Sequence, residues 1–286
     1  MNSALHSFRS FLSEGPVALF VDIDGTLITH EQRIPTSALH ACRSAQEKGH
    51  HLFLSSGRSL PEIYPRLWDL GFSGFIGGGG AYVRVADQVL QDERLSSQQI
   101  TALDSLLSNL NAVYLWQGVD AMHPSPGFID FFTHAMDKPE AAGWREYNEV
   151  ITPFIRQGTP DTITKCTAYI PACDNLLDIL THHLPDGIRY IPGSIAAGNT
   201  TVAEFMPSHI SKGASMGLVC DYLGIARQHS VAIGDSHNDI EALQVAGCGV
   251  AMGQAPTQVR EAADYVTAPV TEDGLAQALT LLGLAE

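Results

Sequence analysis

Val17-Ala-Leu-Phe-Val-Asp-Ile-Asp-Gly-Thr-Leu27 decides how this chain folds. An apolar, β-rich run ends in two acids, Asp22 and Asp24, and then in the turn pair Gly25-Thr26. Such a run reads as a strand buried on both faces of a parallel sheet. In open α/β sheets ligands bind beyond the carboxyl ends of the strands, which puts both acids at the mouth of a site. In an extended strand, residues two apart share a face. Like charges about 4 Å apart repel by roughly 4 kcal/mol at an effective dielectric near 20. The pair therefore calls for a cation, or for a proton held on one carboxyl. Read alone, Asp-Gly at a strand end is equally an ordinary turn.

Three further segments carry related chemistry. His51-Leu-Phe-Leu-Ser-Ser-Gly-Arg58 is a second apolar run ending in Ser56 and Gly57, an O–H and a close backbone N–H for an anion, or a plain β-turn. Ser211-Lys212-Gly213 reads as an N-cap opening a helix that stops at Gly224. Lys212 opposes the positive end of that helix dipole, a placement more natural beside an anion, although taken alone it reads first as a surface lysine. Ser230-Val-Ala-Ile-Gly-Asp235 is a third apolar run ending in an acid, and Ser236-His-Asn-Asp239 opens the next helix. Asn238 is placed to donate its amide toward an oxyanion. Helix capping alone explains Asp239 but not a second strand ending in the same chemistry.

In this order the segments resemble the haloacid dehalogenase (HAD) superfamily of aspartate-nucleophile phosphatases, and within it the Cof-like branch with an inserted α/β cap (type IIB). The tail Val250-Ala-Met-Gly-Gln-Ala-Pro256, Ala263-Asp264 and Glu272-Asp-Gly274 follows the same branch. Three features depart from it: Ser56 stands where threonine is usual, Gly77-Gly-Gly-Gly80 lacks the usual asparagine, and an amphipathic lead (Leu5, Phe8, Phe11, Leu12) precedes the first strand. The resemblance implies an α/β fold: a Rossmann-like parallel-sheet core formed by residues 1–83 and 208–286, and a substrate-selecting cap over 84–207. It implies Asp22 as nucleophile and Asp24 as acid/base. Ser56, Gly57, Lys212 and Asn238 would bind phosphate. Mg²⁺ would be held by Asp22, the main-chain carbonyl of Asp24, and Asp235, with Asp239 behind them. The implied substrate is a small phosphorylated metabolite, sugar phosphates foremost. A phosphomutase or other phosphotransferase, and a catalytically silent binding protein, are the alternatives. Retention of both Asp22 and Asp24 speaks against the last.

Composition agrees. With 286 residues, 45% of them apolar and 16% charged, the chain can bury a sizeable core. A formal charge of −15 argues against a nucleic-acid surface. No apolar run approaches the roughly 18 residues of a membrane span, and the N-terminus lacks the basic and apolar regions of a signal peptide. The five cysteines form no C-x-x-C pair and read as free thiols of a cytoplasmic protein. No histidine spacing suggests zinc; His237 reads as either a substrate-edge or a solvent-facing residue.

Strand and helix patterns alternate from Val17 to Gly71 and again after Ser211, as in βαβ units. Helices are predicted over Pro35–Lys48 and Pro61–Leu70, the second broken by Pro65. Between about Tyr82 and Pro207 the pattern changes. Ser96-x-x-Gln99 is a capping box. Ala112–Trp116 and Thr201–Met206 read as strands, Thr164–Ile170 as a half-exposed strand, and Asp174 as the cap of a helix through Leu184.

Overall fold

A computed structural model describes residues 15–136, 144–173, 175–193 and 200–286. The amphipathic lead before Gly15 and the Asp174 cap lie outside the described residues. The chain forms two compact units: residues 1–57, 64–91 and 211–286 make one, residues 58–63 and 92–210 the other.

The first unit is built on an eight-stranded sheet. Its strands are β1 (Ala18–Val21), β2 (His51–Ser55), β3 (Gly74–Gly77), β4 (Tyr82–Val85), β5 (Gln88–Asp92), β11 (Ser230–Gly234), β12 (Cys248–Ala251) and β13 (Tyr265–Val266), in the order β13-β12-β11-β1-β2-β3-β4-β5. All pairings from β13 to β3 are parallel, and β4 runs antiparallel to β3. The α/β class with a parallel core is thus as the apolar runs indicate. β4 and β5 extend this sheet before the chain enters the second unit.

Helix formation follows local signals. Thr36–Glu47 turns its small residues Ala38, Ala41, Cys42 and Ala45 into the core and packs beside Gly274–Leu282. Lys212–Leu223 is capped by Ser211 Oγ, which accepts from Ala214 N at 3.1 Å, and ends at Gly224 in the left-handed region. With Ile240–Val245 it covers the cluster of Phe20, Phe53, Met216, Val219 and Ala232. Phe20 and Phe53 stack at 5.2 Å. Pro61–Leu70 divides, as its prolines require, into a 3₁₀ turn (Leu60–Glu62) and a short helix (Pro65–Trp68).

The second unit holds a five-stranded antiparallel sheet. Its strands are β6 (Val113–Gln117), β7 (Met122–Pro124), β8 (Lys165–Pro171), β9 (Ile188–Pro192) and β10 (Thr200–Pro207), ordered β7-β6-β8-β10-β9. Helices Ser97–Asn109 and Leu176–His183 pack on one face through Ile100, Leu103, Leu107 and Leu180. The Ser96–Gln99 capping box is formed. β8 is not half-exposed: it is the middle strand and its interior is mostly buried. The alternation in Lys165-Cys-Thr-Ala-Tyr-Ile-Pro171 reflects a polar but covered face, not solvent.

Among the described residues no helix is long and apolar enough to cross a membrane. Cys42, Cys166, Cys220 and Cys248 are buried and Cys173 is exposed, all as free thiols.

Candidate active site

β1 and β11 are hydrogen-bonded neighbours in the first unit, with Val21 opposite Ile233. That pairing brings together the acids that follow each strand. Asp22 continues the ladder for one bond, its N–H donating to Ile233 O at 2.9 Å. The chain then leaves the strand. Gly25 N donates to Ile28 O, and Ile28 N to Ile23 O, so residues 22–28 coil into a closed turn. Asp22 and Asp24 are therefore presented by a turn, not by one face of an extended strand. The group of like charges that results is Asp22, Asp235 and Asp239, whose carboxylate oxygens lie within 4.8 Å of one another. Gly25 has φ +84°, and a Cβ there would lie 2.2 Å from Asp235 Oδ2. Only glycine permits both the backbone angle and the close approach.

Lys212, fully buried, stands among these carboxylates. Its Nζ donates to Asp22 Oδ1 and Asp239 Oδ1, each at 2.7 Å. The other oxygen of Asp239 accepts from the N–H groups of Asp235 and Ser236, both at 3.0 Å. Asp239 is thus fully engaged as a brace between Lys212 and the turn after β11. Gly234 must be glycine here, since a Cβ would sit 2.2 Å from Asp239 Cγ. Ser236 Oγ donates to Asn238 Oδ1 at 2.9 Å, which leaves the amide N–H groups of Asn238 to other acceptors. His237 pairs with Gln258 at 2.9 Å.

Ser56 is buried beyond the end of β2. Its backbone N–H donates to Ile76 O at 2.8 Å and its carbonyl accepts from Gly79 N at 3.0 Å. The glycine run therefore has a backbone task. Gly78, Gly79 and Gly80 all have positive φ, and a Cβ on Gly80 would lie 2.5 Å from the Ser211 backbone. It folds tightly beneath the Ser56 turn and the start of the Lys212 helix.

Gln254, in the Val250–Pro256 tail, completes the group. Its Nε2 donates to Gly25 O at 2.6 Å and to Asp235 Oδ2 at 3.3 Å, while its Oε1 accepts from Val270 N at 3.1 Å. It holds one oxygen of Asp235. The other, Oδ1, is buried and has no hydrogen-bond partner among the described residues.

Burial raises Asp22 well above the usual carboxylate range; Lys212 opposes the shift, and Asp239 and Asp235 add to it. Asp235 is pushed up to about 7, by burial first and then by Asp239. Burial works against the Lys212 ammonium, but Asp22 and Asp239 outweigh it and hold its pKa above the ordinary value. Three carboxylates and one ammonium leave two negative charges in excess. A divalent cation fits that balance, and it fits the orphaned Asp235 Oδ1, since hard cations such as Mg²⁺ take carboxylate oxygens.

Residues 19–279 match the profile of the haloacid dehalogenase-like hydrolase family. The chain belongs to that family. YkrA of Bacillus subtilis (strain 168), named as a candidate phosphatase, is 31% identical over 277 residues, covering 93% of this chain and 97% of its own. The 5-amino-6-(5-phospho-D-ribitylamino)uracil phosphatase YitU of the same organism is 26% identical over 273 residues, covering 92% and 96%. A solved structure described as a HAD subclass IIB sugar phosphatase aligns at TM-score 0.76 with 25% identity, covering 94% of this chain and 99% of its own. The expected enzyme class, a phosphoric monoester hydrolase of this family, stands.

Proposed function

We propose that the chain is a Mg²⁺-dependent phosphatase of the cytoplasm that hydrolyses small phosphorylated metabolites, sugar phosphates foremost, through an aspartyl-phosphate on Asp22. The observation that carries this reading is the group of Asp22, Asp235 and Asp239 around buried Lys212, with one Asp235 oxygen left unpartnered. Asp22, Asp235 and the main-chain carbonyl of Asp24 are the groups that would hold the metal. When bound, Mg²⁺ supplies positive charge that keeps the carboxylates ionised and offsets charge on the phosphoryl oxygens.

The residues then divide the work. Asp22 attacks phosphorus, forming a carboxyl–phosphate bond while the ester oxygen departs. Asp24 gives its proton to that oxygen and afterwards takes one from the water that cleaves the acyl-phosphate. Ser56 Oγ, Gly57 N–H and the Asn238 amide bind phosphoryl oxygens. An ammonium has three donors; Lys212 spends two on Asp22 and Asp239, and the third serves the phosphate. The insert selects the leaving group. The relative and the solved structure named above for a phosphorylated ribityl compound and for sugars support polyol phosphates as the substrate class.

The test is hydrolysis of an aryl phosphate and of a panel of sugar phosphates, with Mg²⁺ and with EDTA, by the wild type and Asp22→Asn. Activity should require Mg²⁺ and vanish in a folded Asp22→Asn protein. Near-normal turnover by that variant would refute the covalent scheme.

A further inference from the structure

The chain passes from one unit to the other between Gly57 and Arg58, one residue after Ser56, and returns at Tyr64. Both ends of this excursion are pinned. On the return, buried Tyr64 donates its hydroxyl to Gln32 Oε1 at 2.7 Å, and Arg66 donates to Gln32 O at 2.7 Å. Within the excursion stands Glu62, 3% exposed. Its Oε2 accepts from the N–H and the hydroxyl of Ser59, each at 2.6 Å. Its Oε1 accepts from Gln117 Nε2 on β6 and from the hydroxyl of Tyr147 in helix Trp144–Ile151, each at 2.7 Å. Gln117 is fixed in turn by Thr167 of β8, whose hydroxyl donates to Gln117 Oε1 at 2.6 Å. Arg58 Nη1 donates to Glu62 O at 3.0 Å, and its guanidinium lies 5.8 Å from the centre of the Tyr147 ring.

A carboxylate has about four acceptor sites, and four donors meet this one. Burying such a charge with its polar partners gains little stability over a well-packed apolar core. What the arrangement does gain is a single geometry for residues 58–62, and through the Gly57–Arg58 peptide bond for the turn that precedes them. We propose that Glu62, clamped by Tyr147 and Gln117, is a positioning residue that sets the Ser56 hydroxyl and the Gly57 amide. The insert thereby tunes affinity for the phosphoryl group itself, not only the choice of leaving group. This rests on the reading of Ser56 and Gly57 as phosphate ligands.

Inorganic phosphate is the discriminating probe, since it has no leaving group. In Tyr147→Phe the inhibition constant for inorganic phosphate and the KM values for aryl and alkyl phosphates should rise together by roughly tenfold, the scale of lost outer-shell support. kcat should change less, and Tm should stay within a few degrees of the wild type. Glu62→Gln, which keeps the shape but places an amide donor against donors, should show the same pattern more strongly and serves if Tyr147→Phe does not fold. Unchanged phosphate inhibition in a folded variant would overturn the clamp. So would KM changes confined to particular metabolites, which would make Tyr147 a leaving-group contact. A wild-type protein that hydrolyses phosphate esters but is insensitive to either variant refutes only the clamp. A wild type that neither hydrolyses esters nor binds phosphate refutes the functional reading and the clamp with it.

Discussion

Lys212→Met removes an ammonium from between two buried carboxylates while keeping most of the apolar stem. At 2.7 Å from each of Asp22 and Asp239, the gross attraction is about 6 kcal/mol per pair at an effective dielectric near 20. Much of that is offset by the cost of burying the charges. Removing one partner of such a group has a net cost of about 3–5 kcal/mol, because uncompensated charge stays behind. For a chain of this size that lowers Tm by roughly 6–20 °C. The deficit should depend on pH in a definite direction. Burial already raises Asp22, and Lys212 opposes that shift; without Lys212, Asp22 holds its proton in the folded state at pH values where the unfolded chain has released it. Groups with raised folded pKa values stabilise at low pH and lose that contribution as pH rises. The variant should therefore lie closer to the wild type at pH 5 than at pH 8. Lys212→Met/Asp239→Asn should recover part of the loss, since it removes one of the stranded charges. The assay is calorimetric unfolding in EDTA at several pH values. A Tm change under about 2 °C, or a deficit equal at pH 5 and pH 8, would refute the electrostatic account.

Two other outcomes are expected. Asp24→Asn should slow an alkyl phosphate far more than an aryl phosphate, whose leaving group needs little protonation; equal losses in kcat/KM would remove Asp24 from the acid/base role. In the metal-free protein the Asp235 pKa is pushed up to about 7, against an unperturbed value near 4. Metal-free stability should accordingly fall as pH rises from about 4 through 7. The Tm gain produced by Mg²⁺ should grow over the same interval, and a gain independent of pH would show that Asp235 is not a ligand.

Much of this was legible because local rules and the fold agree. The runs at Val17–Val21, His51–Ser55 and Ser230–Gly234 are continuous and apolar, as strands covered on both faces must be. The helix beginning at Lys212 announces itself by Ser211 and Gly224. The coiled path of residues 22–28 was not legible, since it depends on the bonds Gly25 N–Ile28 O and Ile28 N–Ile23 O rather than on any period. The grouping of Asp22 with Asp235 was expected from the resemblance, and the pairing of β1 with β11 brings it about. Gln254 lies in the Val250–Pro256 tail that follows the family branch, but its bonds to Gly25 O and Asp235 Oδ2 were not legible, since those acceptors are remote in sequence. Glu62 had a local mark, the Ser59-x-x-Glu62 capping pattern, but its link to Gln117 and Tyr147 comes from the insert. The buried polar face of β8 imitated solvent exposure because periodicity reports polarity, not coverage.

The place of β1 in the sheet has a consequence for how the chain is made. Ala18 pairs with Ser230 across the full length of the insert. A ribosome adding about 5–20 residues per second leaves that edge waiting for roughly ten to forty seconds. Residues 58–63 and 92–210, by contrast, are all present before β11 emerges. Meanwhile Val17–Val21 is a short, apolar, β-prone segment with one side unpaired, the kind that joins to neighbouring nascent chains. Its flanks are Pro16 on one side and Asp22 and Asp24 on the other. Proline and charge are the residues that interrupt such joining. The acids assigned here to phosphoryl transfer thus protect the strand that carries them before any site exists, and replacing both with neutral residues would expose the nascent chain as well as silence the enzyme.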